Sequence, residues 1–403
     1  MKKKVILVLL DACRGDYINP ENTPFMVELG KQGVYYKSLV PSFGFCERTE
    51  ILVGKDSLDS GYFTAFGYDP EQSPYRGYSY IFKLLGFIEN IISSGIFSKI
   101  IRRIIWEVFR FKDGTYYPAR IPLSQLANFC FTEDGPLNLI DNSHLSLYKK
   151  SEKVYLQATT SLNRYLSGTD QTRLDDVLEA LDQPYDFYPM YISLLDAVGH
   201  QYGPKSDDIK TSLRHVDDQL KDFYEKIELT QHSPTIVLCG DHGMSPVREY
   251  VDIESVIKRL KKQKHLLKNF NMFLDSTMAR FWFKDHRADE VQVLQSAIKD
   301  DFGDQGYFVS RDNYISAGIP NLRIYGDLIW LCNEGVVISP DYFTPSDKPI
   351  LGMHGYRPTD QQHYGFAIVN GDGVEPKVLD KPEPLTKIYG ELKEHITSLN
   401  IID

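Results

Sequence analysis

Three short segments, far apart in the 403-residue chain, set carboxylates and imidazoles among glycines. They are Asp196-Ala197-Val198-Gly199-His200, Gly240-Asp241-His242-Gly243-Met244 and Gly352-Met353-His354-Gly355-Tyr356. A fourth ligand-type residue, Asp11, ends the apolar run Val5–Leu10. Oxygen ligands would come from Asp11, Asp196 and Asp241, and nitrogen ligands from His200, His242 and His354. That mixture suits Zn2+, with Mn2+ or another divalent ion as the alternative. Six ligands shared by two ions leave coordination positions for water and substrate, as hydrolytic catalysis requires.

The spacings support shared ligation. Asp196 and His200 are four apart, so one helical turn brings both to the same side. Asp241 and His242 are adjacent, which works on an irregular turn where side chains do not alternate between faces. Gly243 is expected to let that turn adopt positive φ. Each segment also has an ordinary reading. Asp196 could cap a helix, Asp241 could belong to a polar turn, and a lone histidine such as His354 is commonplace. It is the recurrence of the pattern in four places that favours a metal site.

Elements must carry these residues to one place. The runs Val5–Leu10, 188–195, 235–238 and 364–369 are short, apolar and rich in β-branched or aromatic residues, and read as buried parallel strands. Helical patterns intervene, as at 207–227 and 288–300. Strand alternating with helix predicts a doubly wound α/β fold, with a mostly parallel central sheet and helices on both faces. Ligands of such sheets bind beyond the carboxyl ends of the strands, which is where Asp11, Asp196 and Asp241 fall. We read residues 1–403 as one catalytic domain bearing two insertions. Residues 71–170 form a helical lid or cap, and 273–343 a small α+β piece with a strand at 278–283.

Composition narrows the partners. A net charge of -10 argues against binding a nucleic-acid polymer. The five cysteines, Cys13, Cys46, Cys130, Cys239 and Cys332, show neither zinc-finger spacing nor a disulfide framework. A reducing cytoplasm is the expected location. The apolar start stops at Asp11 without a small-residue cleavage site, so it reads as a strand rather than a signal peptide. No apolar run approaches the roughly 20 residues of a transmembrane helix.

The ordered set resembles the nucleotide pyrophosphatase/phosphodiesterase branch of the alkaline phosphatase superfamily. Leu10-Asp11-Ala12-Cys13-Arg14-Gly15-Asp16-Tyr17 looks like that family's opening strand and metal aspartate. Asp196 to Pro204 is close to its Asp-x-x-Gly-His-x-x-Gly-Pro signature, and the segments around Asp241 and His354 are similar to its last two metal segments. The likeness covers residues 5–69, 190–249 and 321–373. It implies an alkaline phosphatase-like fold and hydrolysis of phosphodiester or pyrophosphate bonds. It also implies that Asp196, His200 and His354 hold one ion, and Asp11, Asp241 and His242 the other.

One position departs from the family. Its nucleophile, Thr or Ser, opens the helix that follows a loop, and a gap-free match puts Gly44 there. Three substitutes are open: Ser42, Cys46 near a helix N-terminus that favours a thiolate, or metal-activated water attacking directly. Arg48 could hold a phosphate oxygen with its planar fork. Alternatives on the same scaffold are a phosphomonoesterase or a phosphoryl or phosphoalcohol transferase. A non-catalytic metal- or nucleotide-binding relative is the third reading. The substrate is expected to be a phosphate-ester small molecule or lipid. Basic and apolar residues mix over 80–111, which suits a lid helix, a homodimer contact or a peripheral membrane contact. Tyr116, Tyr117 and Phe129 are candidates for stacking a nucleobase.

Overall fold

The computed structural model describes residues 4–92, 95–112, 115–132, 137–156, 169–262, 270–284, 288–344 and 348–397. The chain divides into two units. The first comprises Met1–Ser60, Leu139–Pro246 and Ile350–Asp403, and the second Gly61–Asn138 and Val247–Pro349. The stretches read as separate insertions thus contribute to one unit, while 139–156 and the helix Asp170–Ala180 belong to the other.

The first unit is built on a seven-stranded sheet. Its strands are β1 (Val5–Leu10), β2 (Val34–Val40), β3 (Phe187–Ile192), β4 (Thr235–Gly240), β5 (Gly365–Asn370), β6 (Lys377–Leu379) and β7 (Glu383–Pro384). They are ordered β6-β2-β5-β4-β1-β3, with β7 also pairing β2. β1 is parallel to both neighbours, with Leu10 opposite Ile192 of β3 and Gly240 of β4. The α/β class and the mostly parallel sheet are as the sequence predicts.

Both faces of β1 are covered, and the two-residue period sorts its side chains between them. Ile6, Val8 and Leu10 join one core, and Val5, Leu7 and Leu9 the other. The first core is closed by the helix Asp207–Glu228, whose Leu213, Val216, Leu220 and Phe223 recur at helical spacing. That helix starts cleanly because Ser206 Oγ accepts from Ile209 N at 3.2 Å and Asp207 and Asp208 lie at its positive end. The helices Glu47–Val53 and Lys387–Thr397 close the other face through Ile51, Leu52, Ile388 and Leu392. Each such buried side chain is worth roughly 1.5–3 kcal/mol, so the sheet is held from both sides.

β5 corrects one expectation. The run 364–369 was expected to be parallel, yet it pairs antiparallel with both β2 and β4. An unbroken apolar run reports burial on two faces but carries no direction. The reversal has a use. Parallel β1, β3 and β4 all end at one edge of the sheet, and antiparallel β5 begins there. The loop before β5, which bears His354, is therefore delivered to the edge where Asp11 and Asp241 emerge.

The second unit contains a four-stranded antiparallel sheet in the order Gly306–Ser310, Leu328–Cys332, Met278–Phe283, Phe270–Leu274, with the helix Ala288–Phe302. Its core holds Arg280, whose charge is satisfied by Asp275 at 2.7 Å and Phe66 O at 2.6 Å. The same unit carries the helices Ser79–Ile92 and Gly95–Phe109. Among the described residues no helix is long and apolar enough to cross a membrane.

Candidate metal centre

The six ligand-type residues converge in the first unit as two triads. Asp196, His200 and His354 form one, and Asp11, Asp241 and His242 the other. Within each, one potential ligand atom per residue lies within 4.8 Å of the others. In the first triad Asp196 Oδ1 is 3.1 Å from His200 Nε2 and 3.7 Å from His354 Nε2. In the second His242 Nε2 is 3.1 Å from Asp11 Oδ1 and 3.8 Å from Asp241 Oδ1. The triads adjoin: the His242 and His354 rings stack with centroids 4.1 Å apart.

Local structure explains each placement. Asp11 follows β1 directly and Asp241 follows β4. Asp196 and His200 share the helix Leu194–Tyr202 that leaves β3, one turn apart. Two histidines have a fixed tautomer. His200 Nδ1 lies 2.8 Å from Gly352 O, and His242 Nδ1 lies 2.8 Å from Gly243 O. A carbonyl only accepts, so each Nδ1 donates, and Nε2 is the nitrogen each ring would offer to a metal ion on losing its proton, as metal-ligating histidines do. Asp241 Oδ1 accepts from Ala12 N at 3.1 Å and His242 N at 2.9 Å. Asp11 Oδ2 accepts from Tyr191 OH. Arg14, gripped by Asp16, donates to Met244 O at 3.0 Å and ties the turn after Asp241 to the β1 end.

Gly243 corrects a second expectation. Its φ is not positive. Glycine is needed there because a Cβ would fall 1.9 Å from Gln362 O, so the requirement is close packing rather than turn geometry.

The electrostatics suit cations. Burial and the charges of Asp196 and Asp241 push Asp11 well above the usual carboxylate range. Burial also raises Asp241. Burial disfavours charge on His242, but Asp241 and Asp11 outweigh it and carry the imidazole well above its usual value. Burial likewise opposes ionisation of Asp196, yet His200 and then His354 hold it below the carboxylate range. Burial and the His242 charge keep His354 well below the imidazole range. Within the two triads, Asp196 Oδ1 and His354 Nδ1 are buried without a hydrogen bond. Carboxylates forced together, and buried polar atoms left without partners, are what a bound ion would relieve. The donor set therefore fits a pair of divalent ions.

Comparison with known proteins agrees with this geometry. Residues 134–357 match the type I phosphodiesterase / nucleotide pyrophosphatase family. The chain belongs to that family. Membership makes it a hydrolase of the phosphodiesterase and nucleotide pyrophosphatase kind and implies a divalent metal pair. The matched region contains Asp196, His200, Asp241, His242 and His354, whereas Asp11 and Gly44 lie before it. An uncharacterized pyrophosphatase/phosphodiesterase of Schizosaccharomyces pombe is 23% identical over 98% of this chain and 77% of that protein. A venom phosphodiesterase of Crotalus durissus collilineatus is 23% identical over 51% of this chain, but over 25% of its own length. The murine ectonucleotide pyrophosphatase/phosphodiesterase 5 structure shares the fold, with a TM-score of 0.67 at 15% identity, covering 98% of this chain and 95% of that one.

The segment around Gly44, where a nucleophile is expected, borders a recess. The recess is lined by Pro41, Ser42, Gly44, Glu47, His242, Gly243, His354, Gly355, Tyr356, Pro358 and His363. Gly44 has φ 113°, a conformation that favours glycine. Cys46 does not line this recess. It is buried, donates to Glu50 Oε2 at 3.6 Å, and its thiol is pushed well above the usual range by burial and by Glu50 and Glu47. Ser42 lines the recess, but its Oγ accepts from Ser57 N at 3.4 Å and its N–H is held by Glu50. Arg48 lines a separate recess with Leu7, Leu9, Ile51 and Tyr191. Tyr116 and Phe129 are buried in the aromatic core of the second unit, while Tyr117 packs edge-on to Trp106.

Sequence reasoning missed Glu47 and Tyr191. Glu47 opens its helix, where an acid reads as a partner of the helix dipole. Tyr191 lies within a strand and gives no motif. Its one available signal is position, next to the last residue of a strand parallel to the one that ends at Asp11.

Proposed function

We propose that this hydrolase cleaves phosphodiester or pyrophosphate bonds by a single in-line attack of water. Two divalent ions, Zn2+ by donor chemistry with Mn2+ as the alternative, would be held by Asp196, His200 and His354 and by Asp11, Asp241 and His242. The observation that carries this reading is the pair of adjoining triads, with His242 and His354 both facing the recess at Gly44. When bound, the ions supply charge stabilisation for the phosphoryl group and its leaving oxygen.

The chain's own residues supply the rest. Gly44 offers no side chain to form a phospho-enzyme, and Cys46 is a buried neutral thiol. Glu47 is the carboxylate that shares the recess with His242 and His354, and is placed to accept a proton from water. The water oxygen then bonds to phosphorus, and the bond to the leaving oxygen breaks with its electron pair. The proton held on Glu47 passes to solvent, and solvent protonates the leaving alkoxide where one forms. His200 and His242 keep their orientation through Gly352 O and Gly243 O.

Two measurements test this. Comparing bis-p-nitrophenyl phosphate with p-nitrophenyl phosphate, with added Zn2+ or Mn2+, should show preference for the diester. Preference for the monoester points to a phosphomonoesterase, and no turnover of either to a binding protein. A chiral phosphorothioate diester should be hydrolysed with inversion. Net retention would exclude single displacement and return a protein nucleophile to the site.

A further inference from the structure

The helices Ser79–Ile92 and Gly95–Phe109 combine an anchored inner side with a bare apolar outer side. The inner contacts are specific. Phe82 and Ile105 are buried, and Tyr75 meets Phe82 and Phe109 edge-on at 5.5 and 5.2 Å. Arg102 joins the helices to each other and to the unit beneath. It donates to Glu89 Oε1 at 2.7 Å, to Ser98 Oγ at 3.0 Å, and to Pro118 O and Ile121 O at 3.2 and 2.7 Å. A Cβ on Gly86 would lie 2.7 Å from Ser124 N, so the first helix sits directly on the segment Leu123–Asn128.

The outer positions are occupied by large hydrophobes at helical spacing. On the first helix Leu84, Phe87 and Ile91 are exposed. On the second Ile96, Ile100 and Ile104 are exposed at four-residue intervals. Phe87 is 63% exposed and Ile96 72%, values that no ordinary packed helix would show on a continuous stripe. Such surface marks a binding face. Cations frame it: residues 79–112 hold six basic residues against Glu89 and Glu107, in a chain whose net charge is -10. Glu89 is taken by Arg102, and Glu107 by Arg103 and Arg110. Lys83 and Lys99 are exposed and form no ion pair among the described residues.

We propose that this helix pair is a peripheral docking surface for an anionic lipid bilayer. Exposed Leu, Ile and Phe enter the boundary between headgroups and acyl chains, and Lys83 and Lys99 meet lipid phosphates. Charge favours this occupant over a second copy of the chain, because two copies meeting through this face would bring their excess positive charges together. The acidic remainder of the chain would be repelled by the same membrane, so attachment has one orientation. Interfacial helices of this kind lie on a bilayer without crossing it, in keeping with the length of these two.

The test uses the full chain and flotation with phosphatidylcholine vesicles, with and without phosphatidylglycerol. The protein should float with the anionic vesicles and far less with phosphatidylcholine alone. Lys83→Gln and Lys99→Gln should each weaken partitioning by about fivefold. Added salt should weaken it in the parent and less in the double variant. Ile100→Ser with Ile104→Ser should abolish flotation while hydrolysis of soluble bis-p-nitrophenyl phosphate and the circular dichroism spectrum stay unchanged. Failure to float with anionic vesicles overturns the proposal, as does flotation indifferent to both variants. Sedimentation decides the remaining case: a dimer that Ile100→Ser with Ile104→Ser dissociates, with no vesicle binding by the parent, makes the face a self-interface and overturns it too.

Discussion

The two triads contain the same residue types in different settings. Asp11, Asp241 and His242 are buried, with side chains 11%, 6% and 8% exposed, and the backbone already organises them. Asp241 is fixed by two N–H groups, Asp11 by Tyr191, and His242 by Gly243 O. Asp196, His200 and His354 are more open, at 23%, 26% and 17%. There, Asp196 Oδ1 and His354 Nδ1 are left without hydrogen bonds. One triad is thus anchored at all three members by the fold, while in the other the anchor is His200 Nδ1 on Gly352 O, and that triad stands to gain more from an ion.

The largest effect should fall on activity and should not separate the triads. Asp196→Ala and Asp241→Ala should each lower diester hydrolysis by on the order of 10³-fold or more, since each removes several kcal/mol of charge stabilisation from the reacting phosphoryl group. A variant of either triad retaining parental turnover would break the two-ion reading.

Glu50 provides a contrast, as a buried acid beside the site that belongs to neither triad. Burial raises it to about 8. A raised folded value means the protonated form is the one the fold prefers. Its contribution is therefore complete below the unfolded value near 4.5 and is lost as pH rises through about 8. Unfolding free energy should fall over that window by on the order of a few kcal/mol, and Glu50→Gln should flatten the fall in denaturant titrations. An unchanged slope would show that Glu50 is ionised in the folded protein.

Chelation should come next. Removing metal should destabilise the parent by about 2.7 kcal/mol per ion if free metal had stood at a hundred times its Kd. Asp196→Ala should lose part of that response and one equivalent of metal by elemental analysis, retaining the other at the backbone-organised triad. Loss of both equivalents would mean the triads fill as one.

A smaller effect addresses the backbone directly, in metal-free protein. At Asp241, Asn keeps an acceptor for Ala12 N and His242 N, whereas Ala leaves two buried donors unpaired. Thermal or denaturant unfolding should place Ala below Asn by roughly 1–3 kcal/mol. At Asp196 no backbone donor is involved, so the two replacements should lie within about 1 kcal/mol of each other. Least affected should be Ser42→Ala and Cys46→Ala, whose diester turnover should stay within about threefold of the parent, since that much corresponds to well under one factor of ten in barrier terms.

The legible parts of the molecule were those where chemistry and sequence are local. β1, β3 and β4 announce themselves as apolar runs, and an acid just beyond a strand end is visible in the sequence. So are Asp196 and His200, one turn apart on their helix. The direction of β5 was hidden because burial on two faces looks the same either way. Glu47 was hidden because its role depends on residues 41–44 folding beside 354–358, a closure of about three hundred residues that leaves no local trace. For the same reason the sequence did not show that 61–138 and 247–349 build one unit. Gly243 was seen as important for the wrong cause: its neighbour Gln362 is distant in sequence, so a packing constraint looked like a turn.

β5 has a consequence for how the protein comes into being. It is inserted between β2 and β4, neither of which has another partner on that side. Until residues 365–370 have emerged from the ribosome, β4 presents an unpaired edge and β2 has no partner in the sheet, because β6 and β7 lie later still in the chain. His354 arrives only shortly before. A nascent or truncated chain ending before residue 350 therefore has neither a closed sheet nor a complete first triad, and is exposed to edge-to-edge aggregation. The last ligand of the first triad and the strand that joins β2 to β4 are thus supplied together, by residues 350–370.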